Sequence, residues 1–208
     1  MDERSFITIL TIGHSTHPAE RFLALLRGAG VTAVADVRSA PYSRHAPQFN
    51  SDALKSNLRS AGIAYSFLGK ELGGRPRDRD LYREGVADYE KMAKTEEFQR
   101  GLDRVVEGAR KYRVALMCSE QDPLDCHRCL LVGRALSRRG VTVKHLLAGG
   151  EVIDHGPIED RLLEVSGRNG EDLFASREER LAAAYRERAR RVAHAEPEPD
   201  VKSPIAAE

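Results

Sequence analysis

The run LMCSEQDPLDCHR, Leu116 to Arg128, gathers thiol, carboxylate, imidazole and guanidinium groups into one short segment. A thiol near positive charge and a helix N-terminus becomes a nucleophilic thiolate, which suits Cys118, although a cysteine closing a core strand is equally a small buried hydrophobe. Glu120, beside a strand end in a partly closed cleft, can have its pKa raised enough for proton transfer. Arg128 offers the planar fork that holds anions. Cys126 and Cys129 lie three apart and, with His127 and Cys118, are metal-ligating types. On a continuous helix Cys126 and His127 diverge, so no metal site and no cofactor is expected.

Similar groups close two other apolar runs. FITILTIG ends at Gly13 and is followed by His14 and Ser15, and VTAVADVR ends in Asp36 and Arg38. A third strand, IAYSFLG, precedes the irregular KELGGRPRDRD, which carries Gly73, Gly74 and Arg75. RVALMC and VTVKHLL supply a fourth and a fifth strand, and EVIDHG is a short strand or a turn. Between them lie helix patterns: HPAERFLALLRGAG with Pro18 at its start, DALKSNLRSAG capped by Asn50 or Ser51, and ADYEKMAKTEEFQRGLDRVVEGARK, divisible into two helices. Asp122 and Pro123 open a helix that runs to about Arg139. Its apolar stripe of Leu124, Leu131, Val132, Ala135 and Leu136 includes Arg128, whose guanidinium must pair with Asp36 or Glu120 or reach a ligand.

Strands alternating with helices predict an α/β fold: a mostly parallel sheet of about five strands with helices on both faces, plus an appended C-terminal helix. Ligands of such sheets bind outside the strand carboxyl ends. The expected site therefore has Cys118, Glu120, His14 and Asp36 as catalytic groups, with Ser15, Arg38, Gly73, Gly74, Arg75, His127 and Arg128 binding the ligand. His14, Asp36, Arg38, Glu120 and Arg128 are expected to line one cleft.

The 208 residues suffice for one core domain, assigned to residues 1–156, with a helical extension over 157–194 and a disordered tail over 195–208. Arginine and lysine number 33 against 32 acidic residues, so no global field draws the chain to nucleic acid or an anionic membrane. Three cysteines do not make a secreted disulfide framework, and no apolar run reaches membrane-span length, so a cytoplasmic, soluble protein is expected. The extension EDLFASREERLAAAYRERARRVAH has a thin apolar side, Leu173, Phe174, Leu181 and Tyr185, able to lie on the domain or on the second subunit of a homodimer. Its Arg186, Arg188, Arg190 and Arg191 leave nucleic-acid phosphate contact open, with a solvated charged face the simpler reading.

The Asp-Val-Arg strand end is similar to that of rhodanese domains, but CSEQDPLDCHR does not build their active-site loop. A phosphatase cradle also fails, because Leu124 stands where its arginine would be. Taken together, TIGHST, DVRSAPYSRHAPQFN, GIAYSFLGKELGGRP, LMCSEQDPLDCHR and VKHLLAGGEVIDH, in order from Thr11 to His155, resemble the domain of unknown function 488 family. That resemblance implies an α/β domain with His14, Asp36, Arg38, Gly73, Gly74, Cys118, Glu120, Cys126, His127 and Arg128 as motif positions. It implies no activity. The residues themselves point to an enzyme acting on a small anionic substrate such as a nucleotide, nucleoside or sugar phosphate. A noncatalytic ligand- or nucleic-acid-associated module is the alternative.

Overall fold

The computed structural model describes residues 7–170 and 174–196. The expected disordered tail thus lies almost wholly outside the described residues, as does Leu173. Six strands form the main sheet: β1 (Thr8–Gly13), β2 (Ala33–Asp36), β3 (Ala64–Phe67), β6 (Val114–Cys118), β7 (Thr142–Leu146) and β8 (Val152–Asp154). Their order is β3-β2-β6-β1-β7-β8; β8 runs antiparallel to β7 and every other pairing is parallel. The parallel strands therefore deliver their carboxyl ends to one edge. A separate two-stranded ribbon joins β4 (Tyr82–Arg83) to β5 (Val86–Ala87).

Successive strand residues point to opposite faces, and each face has its own core. Leu10, Ile12, Val34, Ala115 and Met117 pack with Phe22, Leu26, Leu54 and Leu58 from α1 (Ala19–Gly28) and α2 (Ser51–Ser60). On the other face Ile9, Ala35, Leu116, Cys118 and Val143 meet α3 (Gly69–Leu72), α4 (Tyr89–Met92), α5 (Glu96–Ala109), a π-helix (Arg128–Gly133) continued by α6 (Arg134–Arg138), α7 (His155–Val165) and α8 (Arg177–Val192). Leu181, Ala184 and Tyr185 of α8 join this second core, and a capping box between Ser176 and Glu179 starts the helix. Phe174, expected on its apolar side, is exposed instead.

Three local expectations are corrected. The segment from Lys70, read as irregular, begins inside the helical turn α3. Asn50 precedes α2 but does not cap it with its side chain; its Oδ1 accepts from the Ser43 amide at 2.7 Å instead. The largest difference is after β6. Asp122 does cap, accepting from the Leu124 amide at 2.8 Å, but what it opens is the single 3₁₀ turn Pro123–Asp125. Cys126 is then extended, at φ −137° and ψ 137°, and helix resumes at His127 as the π-helix. π-helical turns are rare and concentrate at functional sites. Among the described residues no helix is long and apolar enough to cross a membrane.

Candidate functional site

The break at Cys126 converts a helix face into a cluster. Because Cys126 is extended while His127 is helical, their side chains converge on Cys118 at the end of β6. The Cys118 thiol donates to Glu120 Oε2 at 3.1 Å and the Cys126 thiol donates to the same oxygen at 2.9 Å. His127 Nδ1 lies 3.7 Å from Cys118 Sγ and 4.0 Å from Cys126 Sγ. Its other nitrogen, Nε2, donates to the Val37 carbonyl at 2.9 Å, which leaves Nδ1 aimed at the sulfurs. Gly74 permits this packing, since a Cβ there would stand 2.9 Å from His127 Cγ. The two glycines therefore serve close approach; Gly73 has the same character, its Cβ position falling 2.4 Å from the Gly69 carbonyl oxygen.

Arg128 is 1% exposed and pairs with neither Asp36 nor Glu120. Its guanidinium donates instead to the carbonyls of Glu120 (2.5 Å) and Gln121 (2.9 Å), clamping the turn after β6. Nε has no partner, and the Arg128 amide donates to Cys126 Sγ at 3.4 Å.

These neighbours shift each titration. Burial pushes the Cys118 thiol well up, helped by its bond to Cys126 and by nearby negative charge. Burial also disfavours a Cys126 thiolate, but the Cys118 hydrogen bond, the Arg128 charge and His127 outweigh it and hold Cys126 below the ordinary thiol range. Burial raises Glu120, and the Cys126 charge raises it further. For His127 burial works the other way, and its contact with Cys126 overcomes it, raising the imidazole.

Above the cluster is a cavity of about 340 Å³, lined by Arg38, Ser39, Tyr42, Gly74, Arg75, Cys118, Glu120 and His127, with His194 after α8 on its wall. Arg75 is exposed; its backbone amide is held by Ser39 Oγ at 2.9 Å. Cys126 and Arg128 do not line this cavity.

His14, Asp36 and Arg38 form a second knot at the same edge but beneath the opposite face. Asp36 Oδ1 accepts from Arg38 Nε at 2.9 Å, and Oδ2 from Arg38 Nη2 at 2.7 Å and from the Tyr65 hydroxyl at 3.0 Å. Arg38 donates further to the Phe49 carbonyl at 2.9 Å and meets His14 Nε2 at 3.2 Å. His14 stacks on Phe49, with ring centroids 4.2 Å apart, and donates through Nδ1 to the Ser15 carbonyl. Burial, with the Arg38 charge adding to it against the Ser15 bond, lowers its pKa to about 4. A neutral His14 accepting from Arg38 fits this arrangement. Ser15 does not line the cavity; its hydroxyl donates to Gln121 Oε1 at 3.4 Å. Among the expected site residues, then, Cys118, Glu120, His127, Arg38, Gly74 and Arg75 border one cavity, whereas His14, Asp36, Ser15, Gly73 and Arg128 stand behind or beside it.

Sequence reasoning missed a buried chain on the α7 side. Thr11 Oγ1, His145, His155, Tyr185 and Glu159 are linked in series at 2.8, 2.9, 3.0 and 3.1 Å. Because the Tyr185 hydroxyl donates to Glu159, one consistent set of neutral tautomers satisfies every link. Burial and the facing His155 lower His145 to about 3. Three of the four α8 arginines singled out in the sequence are similarly committed: Arg186 to Glu90, Arg188 to Asp125 and the Leu124 carbonyl, and Arg191 to Glu187.

No curated protein and no solved structure matches this chain. A family model described as "Domain of unknown function DUF488" matches residues 18–135, more than half of the sequence and the part that holds Asp36, Arg38, the Gly73–Arg75 segment and the whole cysteine cluster. By that match the chain belongs to the DUF488 family.

Proposed function

We propose that the protein is an enzyme acting on a small anionic substrate, of nucleotide, nucleoside or sugar-phosphate kind, with the Cys118–Glu120–Cys126–His127 cluster as its reactive centre. One observation carries this reading: the Cys118 thiol, in contact with the Glu120 carboxyl and the His127 imidazole, forms with them part of the wall of a cavity that Arg75 also lines. The cavity, about 340 Å³, is at the small end of ligand sites and lies where open α/β sheets bind ligands. In this reading Arg75 holds the anion, Glu120 moves the proton and the sulfur centre meets the substrate. Simple anion binding would need the arginine but not two thiols sharing a carboxylate oxygen, so the binding-module alternative is less well supported. The protein is assigned to the cytoplasm, supported by free thiols at Cys118, Cys126 and Cys129, which a reducing compartment maintains.

The test is calorimetric titration of the purified chain with inorganic phosphate, nucleoside monophosphates and sugar phosphates. Saturable binding of at least one of these anions is expected. Arg75→Ala should weaken it by roughly ten- to a hundredfold, the value of one charge-assisted hydrogen bond. Arg190→Ala, in a different cavity on α8, should leave it unchanged. Absence of binding across the panel, or sensitivity to Arg190 rather than Arg75, would contradict the reading.

A further inference from the structure

Two buried groups combine cysteine and histidine: Cys118 with Cys126 and His127, and Cys129 with His145 and His155, the ligating atoms of each lying within 4.8 Å of one another. They differ in what those atoms already do. In the second group both nitrogens of His145 and both of His155 are used in the Thr11–Tyr185 chain, so an ion would have to break a satisfied network. In the first, His127 spends Nε2 on the Val37 carbonyl and presents Nδ1 to the two sulfurs. A histidine oriented by a carbonyl at its far nitrogen is the usual arrangement around a bound metal.

We propose that Cys118, Cys126 and His127 bind a divalent, thiophilic metal ion of the zinc class, with Glu120 as an exchangeable fourth ligand on the cavity side. Zinc–sulfur bonds near 2.3 Å and zinc–nitrogen bonds near 2.0 Å put sulfur and nitrogen about 3.5 Å apart in a tetrahedron. The observed separations are 3.7 and 4.0 Å, so the imidazole need move relative to the two sulfurs by only a few tenths of an ångström. Glu120 Oε2 already bridges both sulfurs.

The surroundings are built for negative charge. Arg128 is fully buried with no ion pair among the described residues, and its amide points at Cys126 Sγ. With only backbone carbonyls accepting from its guanidinium, Arg128 is positioned to compensate negative charge at the sulfurs. A divalent ion with two thiolates and a carboxylate carries one net negative charge, and Arg128 compensates it. Binding exchanges protons for metal: each thiol gives up its proton to solvent as its sulfur bonds the ion, and nothing is oxidised or reduced. Since Cys118, Glu120 and His127 face the cavity while Cys126 backs them, displacement of Glu120 opens one position toward it. That last step alone rests on the proposed anionic-substrate reading; the metal site does not.

The test is titration of the reduced, metal-free full chain with Co²⁺, followed by Zn²⁺ displacement. The expected result is one ion per chain, with thiolate-to-cobalt charge-transfer absorption that Zn²⁺ abolishes and proton release on binding. Cys118→Ser and Cys126→Ser should each weaken binding by at least about tenfold, the smaller of the losses seen even for outer partners. Cys129→Ser should bind as wild type does, and circular dichroism checks that each variant is folded. Failure of the folded, reduced wild type to bind Co²⁺ stoichiometrically would overturn the proposal. So would binding that survives both Cys118→Ser and Cys126→Ser, or that is lost in folded Cys129→Ser. Inorganic phosphate separates the two readings: Co²⁺ binding with a spectrum blind to phosphate and no anion binding upholds the metal site and removes the substrate reading. Anion binding without Co²⁺ binding does the reverse.

Discussion

Arg128→Ala is expected to cost roughly 3 to 5 kcal/mol of stability, because two buried carbonyls each lose a charge-assisted hydrogen bond worth about 1.5 to 3 kcal/mol and a cavity opens where the side chain was. Its side chain is among the largest that are fully buried, and its two guanidinium bonds hold the consecutive carbonyls of Glu120 and Gln121. Truncation leaves those acceptors without their donor, opens a void under the π-helix and frees the turn that aims Glu120. Arg128→Lys keeps the charge but not the fork that spans two carbonyls, so most of the loss should remain. Chemical denaturation of both variants provides the measurement; a change within about 1 kcal/mol, the centre for ordinary substitutions, would contradict the clamp.

Asp36→Ala should be as severe, again roughly 3 to 5 kcal/mol, because it strands the Arg38 guanidinium. Arg38 is 4% exposed and Asp36 0%, so water cannot replace the lost partner. The Tyr65 hydroxyl loses its acceptor as well. Asp36→Asn retains shape and some hydrogen bonding and should fall between alanine and wild type. The same denaturation experiment decides it: wild-type stability for Asp36→Ala would mean that the pair contributes nothing to the fold.

The alternation of strands and helices was legible because it rests on periodicity and on local signals such as Pro18 and Asp122. The convergence of Cys126 and His127 on Cys118 was not. Asp122 and Pro123 announce a helix, and nothing in DCHR marks Cys126 as extended; the break accompanies Arg128 reaching back to the turn after β6, a tertiary contact. The separation of Asp36 from Cys118 was hidden for a different reason. Both end parallel strands, but Asp36 stands opposite Met117, so Cys118, one residue further, points to the other face. That parity depends on which strands are neighbours and in what register, and a single sequence states neither. The buried chain from Thr11 to Glu159 likewise joins four elements distant in sequence.

The central claim is that the cavity walled by Cys118, Glu120 and His127 admits an anionic substrate to the cluster, with Arg75 attracting it. Alkylation of the metal-free, folded chain by iodoacetate and by neutral iodoacetamide, with each cysteine followed by peptide mass spectrometry, tests it most directly. Cys118 should react before Cys126 and Cys129, because it alone of the three lines the cavity and the reagent does not reach the more acidic Cys126 thiol behind it. Iodoacetate should gain on iodoacetamide relative to a free thiol, and Arg75→Ala should remove that gain. A Cys118 that stays unmodified while the chain is folded, or one that reacts without regard to reagent charge or to Arg75, would contradict the account.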